Sequence, residues 1–434
     1  MSNLQPADIA YLDSQKCLHV PAGKLLETLV SHYFLYVHPC LPIVNEVEFW
    51  TKLRQREETS PTFSLLVFQA MLFAASSYIP LQNAKQSGAE SILGLRDRLY
   101  RRAKLLYDFG LEDLHEDICL ASLLLSYYCS KPDSLSNTTW LAVAIQHARA
   151  INAHLYHRYP AKAKHRRTKL KRIWWSLIIR DRVIALGMRR SLQILPSDFD
   201  VFSHPPLALE DMEDEIHASE VYDAHTKTVL CKVLTSQCQL AVALTPVLMT
   251  VYPGAGLQDL RPDDDTTWRR VNDSMARLHH WEKHHMVQIN HETGAENPSI
   301  PFFQHLTALY YETARLALYH HISFCLSAQQ SLDMTNQKHH PDLIDAIATI
   351  NKTVKHFIVS GTAGWLPISA VAYTIAPQIL LNINLRLVGN PADRRRQENL
   401  LRFYTELSRA YHLRYDVTYI SSWIQQIVGI FDTL

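Results

Sequence analysis

Glycine is scarce in this chain: 12 of 434 residues, against a usual share of about 7%. Tight hairpins need glycine at their positive-φ positions, so a β-rich fold is disfavoured. Cysteine is sparse and dispersed. Cys17, Cys40, Cys119, Cys129, Cys231, Cys238 and Cys325 are widely spaced and form no CxxC. A zinc cluster needs closely spaced thiolates to close a small cage, so the pattern reads as buried, reduced thiols of a cytosolic or nuclear protein. Charge of one sign is also lacking, with 43 Lys and Arg against 42 Asp and Glu, which argues against a wholly basic nucleic-acid surface. No run of eighteen apolar residues suggests a membrane span. Met1 to Asp13 has no basic stretch followed by an apolar core, so it does not read as a secretory signal. Nor does any GxSxG, Walker loop or GxGxxG occur.

What is present is apolar residues at helical spacing. They make 47% of the chain, enough for a large core. Leu26, Leu29, Tyr33 and Val37 mark one face of a first helix that Pro39 and Pro42 end. The pattern predicts further helices over Phe63–Tyr78, Gly88–Phe109 with Gly110 as its stop, Asp117–Cys129, Asn137–His154, and Arg167–Leu186 stopped at Gly187. The prolines of Leu192–Leu209 predict an irregular stretch. Helices follow over Val221–Val251, Asp264–Ile289, His305–Ser327, Asp342–Val359, Val371–Leu387 and Asp393–Ile430, with polar loops at Asn290–Ile300 and Gln329–Pro341. The expected fold is all-α, a large multi-helix bundle. The expected division is an N-terminal segment (1–22), a helical core (23–254), and a C-terminal helical part packed on the same core (255–434).

Several blocks carry a family resemblance. Tyr33-Phe-Leu-Tyr-Val-His-Pro-Cys-Leu-Pro-Ile-Val44, followed by Phe49, is one. Leu141–Leu155 is a second, with Asn152-Ala153 where the family usually has Leu-Gly. The most specific joins Arg166-Arg167, Arg172-Ile-Trp-Trp-Ser-Leu, Arg180-Asp-Arg182 and Leu195-Pro-Ser-Asp-Phe-Asp200. Its departure is Gly187-Met-Arg-Arg190, where Gly-Arg-Pro is usual. Pro206–Tyr252 and His305–His321 also fit. Together they resemble the middle homology region, or fungal-specific transcription factor domain, of fungal zinc-cluster (Zn2Cys6) transcription factors, without the zinc-cluster module. The resemblance marks Arg172, Trp174, Trp175, Asp181, Arg182, Asp198 and Asp200 as motif residues. From the residues alone, the Trp pair reads as a core anchor, with Asp181 placed to pair with a nearby Arg.

The resemblance implies a regulatory, ligand-sensing helical domain controlling fungal metabolic or secondary-metabolite genes, nuclear by analogy and otherwise cytoplasmic. It implies a small-molecule ligand, a homodimer or a full-length regulator as partner, no direct DNA binding by this chain, no membrane and no cofactor. A non-catalytic partner or antagonist of a full-length regulator is a further reading. The alternative is an enzyme, a Mg-dependent sesquiterpene cyclase acting on a prenyl diphosphate. It would use Asp263, Asp264, Asp265, Asn272 and Asp273 as Mg²⁺ ligands and Arg414 with Tyr415 as diphosphate contacts, although no clean DDxxD motif occurs. The acidic run Glu210–Glu220 belongs to the same alternative, or to ordinary helix-start chemistry. The basic run Lys162–Arg172 is read as the first turns of the Trp-Trp helix rather than an import signal or phosphate contact, and the 23 histidines as scattered.

Overall fold

A computed structural model of the chain describes residues 4–54, 63–131, 133–199, 205–254, 265–286, 297–329 and 341–430. They form seventeen α-helices and no strand, an all-α protein. In chain order these are α1 (Pro6–Ser14), α2 (Lys24–His32), α3 (Glu46–Arg54), α4 (Leu65–Ser76), α5 (Leu81–Gln86), α6 (Ile92–Asp108), α7 (His115–Leu125), α8 (Ser136–Ala150) and α9 (Lys164–Met188). There follow α10 (Glu213–Ile216), α11 (Ala224–Val251), α12 (Asp265–Trp281), α13 (Ser299–Gln329), α14 (Pro341–Val359), α15 (Ser369–Leu387), α16 (Pro391–His412) and α17 (Thr418–Ile430). They fall into two compact units. The first holds residues 1–177, 198–234 and 412–417; the second holds 178–197, 235–411 and 418–434.

The first unit is built around α4. Its sequence is apolar on every side, and ten of its twelve residues are buried, as expected of a helix with no solvent face. Ser64 caps it by accepting from the Val67 amide. Helices α2, α6 and α7 pack on α4, and α8 packs on α7. Gln69 on α4 donates to the carbonyls of Cys17 (3.2 Å) and His19 (2.8 Å), fastening the N-terminal residues to this core. A π-helical turn over Tyr33–Val37 follows α2 and buries Tyr33, Phe34 and Val37 together. Helix α8 ends where Asn152 takes φ 57, a left-handed conformation that Asn tolerates better than most side chains.

In the second unit α13 packs against α14, α12 and α15, and α15 also packs against α17. Trp281 is buried there, donating its indole N–H to the Ser236 carbonyl at 3.0 Å and lying 5.1 Å from the Tyr311 ring.

Helix ends shift by a few residues throughout, α13 for instance beginning at Ser299 rather than His305, and three differences from the sequence expectation stand out. Helix α9 does not stop at Gly187 but runs to Met188, and Arg189 takes the left-handed conformation, φ 53. Gly187 is there for close approach. A Cβ on it would meet the Ala372 Cβ at 3.2 Å and the Tyr373 ring at 3.3 Å. The segment expected as one helix over Asp393–Ile430 is two, because residues 413–417 leave the helical path. Tyr415 there is buried with its ring 5.3 Å from the Arg96 guanidinium, and Asp416 accepts from the Lys131 amide at 3.1 Å. Arg96 itself is buried, donating to Ser77 Oγ (3.0 Å) and the Tyr127 carbonyl, with Phe73 on its face at 4.7 Å. Leaving the helix sets an aromatic ring against a buried cation, a favourable contact in a desolvated site. Helix α12 ends at Trp281 and continues as a π-helical turn to Met286. The loops expected at Asn290–Ile300 and Gln329–Pro341 lie largely outside the described residues.

Helix α11 is long and apolar enough, by length and composition alone, to cross a membrane, yet 67% of its most apolar window is buried inside the protein. Its Thr, Ser and Gln residues and internal Pro246 suit a core helix.

Gly187→Ala tests the close approach. In an open helix this change gains about 1 kcal/mol. Here Ala372 is held on a helix and the Tyr373 hydroxyl is tied to the Val183 carbonyl, so neither yields, and overpacking costs about 1–3 kcal/mol. A net loss of stability in denaturant unfolding is expected; a gain would contradict the packing account.

Candidate functional site

The most heavily charged interior region of the first unit centres on Glu215, whose side chain has no exposure. One carboxylate oxygen receives Arg172 Nη1; the other lies 3.1 Å from His38 Nε2 and 3.2 Å from Lys227 Nζ. Lys227 also meets buried Glu46 at 2.7 Å. Glu46 accepts in addition from Ser219 Oγ and the Glu220 amide, each at 2.9 Å. Arg172 spends its remaining donors on the Asp211 carbonyl, 2.8 Å from Nε, and on Asp214 Oδ1 at 2.9 Å. Five buried charged or chargeable side chains, His38, Glu46, Arg172, Glu215 and Lys227, thus gather at one point of the first unit.

Burial by itself would raise the Glu215 carboxyl. The charge and hydrogen bond of His38, then the charges of Arg172 and Lys227, overcome that and hold it far below the usual carboxylate range. Lys227 shows the mirror balance: burial would lower it, but Glu215 and Glu46 keep it above its ordinary value.

Beside this cluster opens a cavity of about 660 Å³. Ile43, Val44, Phe49, Phe63 and Leu120 give it an apolar floor. Its walls come from α3, the first turn of α7, the first turns of α9 and the acidic run around α10. The basic run is part of the wall. Arg166 and Lys169 both pair with Glu116, Lys171 pairs with Asp211 at 2.5 Å, and His165 meets Glu48 at 2.7 Å. Lys164 lies 3.6 Å from Glu213. Burial works to raise Glu116, yet Lys169 and Arg166 outweigh it and hold its carboxyl below the ordinary value. A segment committed in this way is folded wall, not an extended basic peptide.

The motif residues of the sequence take separate places. Trp174 and Trp175 are fully buried, and the Trp175 indole donates to Tyr156 Oη at 3.1 Å. Arg172 joins the Glu215 cluster. Asp181 and Arg182 pair at 2.7 Å in the second unit. There Asp181 also accepts from the amides of Gln193 and Ile194, 3.1 Å each, and so pins the chain that follows α9. Burial pushes the Asp181 carboxyl up, against the pull of Arg182 and the two amides. Asp198 pairs with Arg149 at 2.8 Å in the first unit; Asp200 lies outside the described residues.

The residues of the cyclase alternative gain no support. Asp263 and Asp264 lie outside the described residues. Asp265, Asn272 and Asp273 are exposed on α12, and Asp273 is paired with Arg277 at 2.8 Å. Arg414 is half-buried and Tyr415 stands against Arg96. Among the described residues no three His, Cys, Asp or Glu side chains are grouped to hold a metal ion. The acidic run is divided: Glu215 faces inward, while Glu210, Asp211, Glu213 and Asp214 border the cavity, all but Asp211 exposed to water.

Residues 30–278, which contain the whole cavity lining and the Glu215 cluster, match the family model described as the fungal specific transcription factor domain. The chain belongs to this family. Among similar proteins, cutinase transcription factor 1 beta of Fusarium vanettenii is 30% identical over 68% of this chain and 34% of its own length. A transcription factor of Fusarium pseudograminearum (strain CS3096) is 25% identical over 99% of this chain and 52% of its own. Transcription factor cpaR of Aspergillus oryzae is 28% identical over 54% and 40%. The chain thus spans between about a third and a half of the length of these relatives. Sequence reasoning does not single out His38, Glu46 or Lys227 as site residues, and it takes Glu215 only as one member of the acidic run Glu210–Glu220. One signal was available: Met212 and Glu215 are three apart and share the inward side of the acidic run.

Removing one member of a buried ion cluster strands the others, at a cost of about 3–5 kcal/mol. Glu215→Ala is therefore expected to lower stability by that amount, read from denaturant midpoints. Glu215 is depressed, so its contribution is complete above its ordinary value of 4.5 and is lost as pH falls toward its folded value. Lys227 is raised, so its contribution is complete below 10.5 and fades above. Stability of the natural chain should decline below about pH 4.5, and Glu215→Gln should flatten that decline. An unchanged acid limb in the variant would contradict the cluster's role.

Proposed function

We propose that this chain is the regulatory, ligand-sensing helical region of a fungal transcription regulator, working in the nucleus on metabolic or secondary-metabolite genes. The cavity carries this reading: it lies wholly within the family-matched residues, and its walls are held by the Glu215 cluster rather than by a catalytic group. A ligand entering it meets α3, α7 and α9 together and changes their balance of charges, which is how a small molecule biases a helical switch. The relatives' names point the same way, since they include a cutinase transcription factor, acetamidase regulatory proteins and a fusaric acid cluster transcription factor.

DNA contact, in this reading, comes from a zinc-cluster module outside these residues or from a full-length partner. Five of the seven thiols here are buried, and none is spaced to cage zinc. Within the basic run Lys164, His165, Arg166, Lys169, Lys171 and Arg172 are tied to carboxylates at or beside the cavity wall.

Two measurements test the proposal. The purified chain should give no gel-shift of nanomolar affinity with any defined DNA site; such a shift would contradict it. Fused to an unrelated DNA-binding activator, the chain should alter reporter output in fungal cells, and Phe63→Trp, which fills the cavity, should change that output while leaving the helical circular dichroism intact. Equal output from both fusions would count against the cavity as the sensing site.

A further inference from the structure

We propose that the cavity takes an amphipathic ammonium ligand, with its protonated amine set against Asp117 and its apolar body on Ile43, Phe49, Phe63 and Leu120. This rests on the ligand-sensing reading above and names the chemistry of that site.

Size and floor come first. About 660 Å³ lies within the range of small-molecule pockets, roughly 300–1,000 Å³. The apolar floor gives an uncharged body somewhere to leave water. The charges around it favour a cation over an anion. Seven carboxylates line the cavity against four Lys and Arg side chains; Glu48, Glu116, Asp211, Glu213 and Asp214 are paired with basic side chains, which leaves Asp117 and the exposed Glu210 to attract positive charge. Three of those four cations are committed: Lys169 to Glu116, Arg172 to Glu215 and Asp214, and Lys164 to Glu213. The fourth, Lys52, is exposed to water, where its pull on an anion is screened.

Asp117 is the lining carboxylate left over within the partly buried wall. Among the described residues no hydrogen bond or ion pair reaches it. Burial, then the charges of Glu112 and Glu116, push it up to about 6, against the weaker opposing pull of Lys169 and Lys52. A ligand ammonium placed there supplies the missing partner. A ligand carboxylate placed there adds a further like charge beside Glu112, Glu116 and Asp117.

The test uses the intact 434-residue chain and two probes of similar size and opposite charge, 2-phenylethylammonium and 3-phenylpropanoate, followed by titration calorimetry at neutral pH. The ammonium should bind at least about tenfold more tightly, a difference of roughly 1.4 kcal/mol. Asp117→Asn should abolish the preference and Asp117→Glu should keep it, with thermal unfolding confirming that each variant folds. Should Asp117→Asn not fold, Phe63→Ala must weaken ammonium binding by loss of floor. Equal or tighter carboxylate binding overturns the proposal, as does ammonium affinity that these substitutions leave unchanged. Binding of neither probe at millimolar concentration overturns the ligand class, while the ligand-sensing reading is still judged by the reporter fusions.

Discussion

A carboxylate with no exposure cannot stay charged unless cations come to it, and Glu215 is such a carboxylate. The requirement binds distant parts of the first unit. His38 arrives after the π-helical turn, Glu46 opens α3, Arg172 comes from the middle of α9, and Lys227 from the first turn of α11. None of these helices can shift alone without leaving a buried charge unpaired. Such clusters are poor sources of net stability compared with apolar packing, because desolvation consumes most of the Coulombic gain. What the Glu215 cluster fixes is relative position.

The cavity inherits that fixity. Its walls are the outer sides of the same elements: residues 43–49 next to Glu46, residues 164–172 ending at Arg172, and residues 210–214 just before Glu215. The inner end of each wall is held by buried ion pairs, while the outer end carries pairs half open to water, such as His165 with Glu48 and Lys164 with Glu213. Exposed pairs are worth about 1 kcal/mol or less, so they exchange partners readily when a charged ligand arrives. A held inner end and an adjustable rim suit the sensing role proposed for this pocket.

Much of the fold was legible in the sequence. The all-α class, most of the helices and the irregular stretch after α9 follow from helical periodicity, scarce glycine and well-placed proline. Two of the misplaced boundaries trace to tertiary contacts that local pattern does not encode. Gly187 reads as a stop signal but serves a close approach to Ala372 and Tyr373, which lie some 185 positions later in the chain. Residues 413–417 look helical but break so that Tyr415 can reach Arg96. The site was less legible. His38 and Glu215 are 177 residues apart, and nothing in either neighbourhood announces the other. The acidic run around Glu215 looked uniform, whereas the fold assigns its members to interior, cavity wall and solvent. The Trp-Trp block was plain to see, and Arg172 within it proves to be the link between the motif and the cavity.

The central claim is that one buried charge cluster holds the cavity walls as a unit. Native-state hydrogen exchange on Lys227→Met tests it most directly, because Lys227 touches both Glu46 and Glu215 without lining the cavity. The account predicts that amides in residues 46–49 and 213–216, which flank those two carboxylates, lose protection together. Protection unchanged in both stretches, with loss confined to the turns around residue 227, would contradict it.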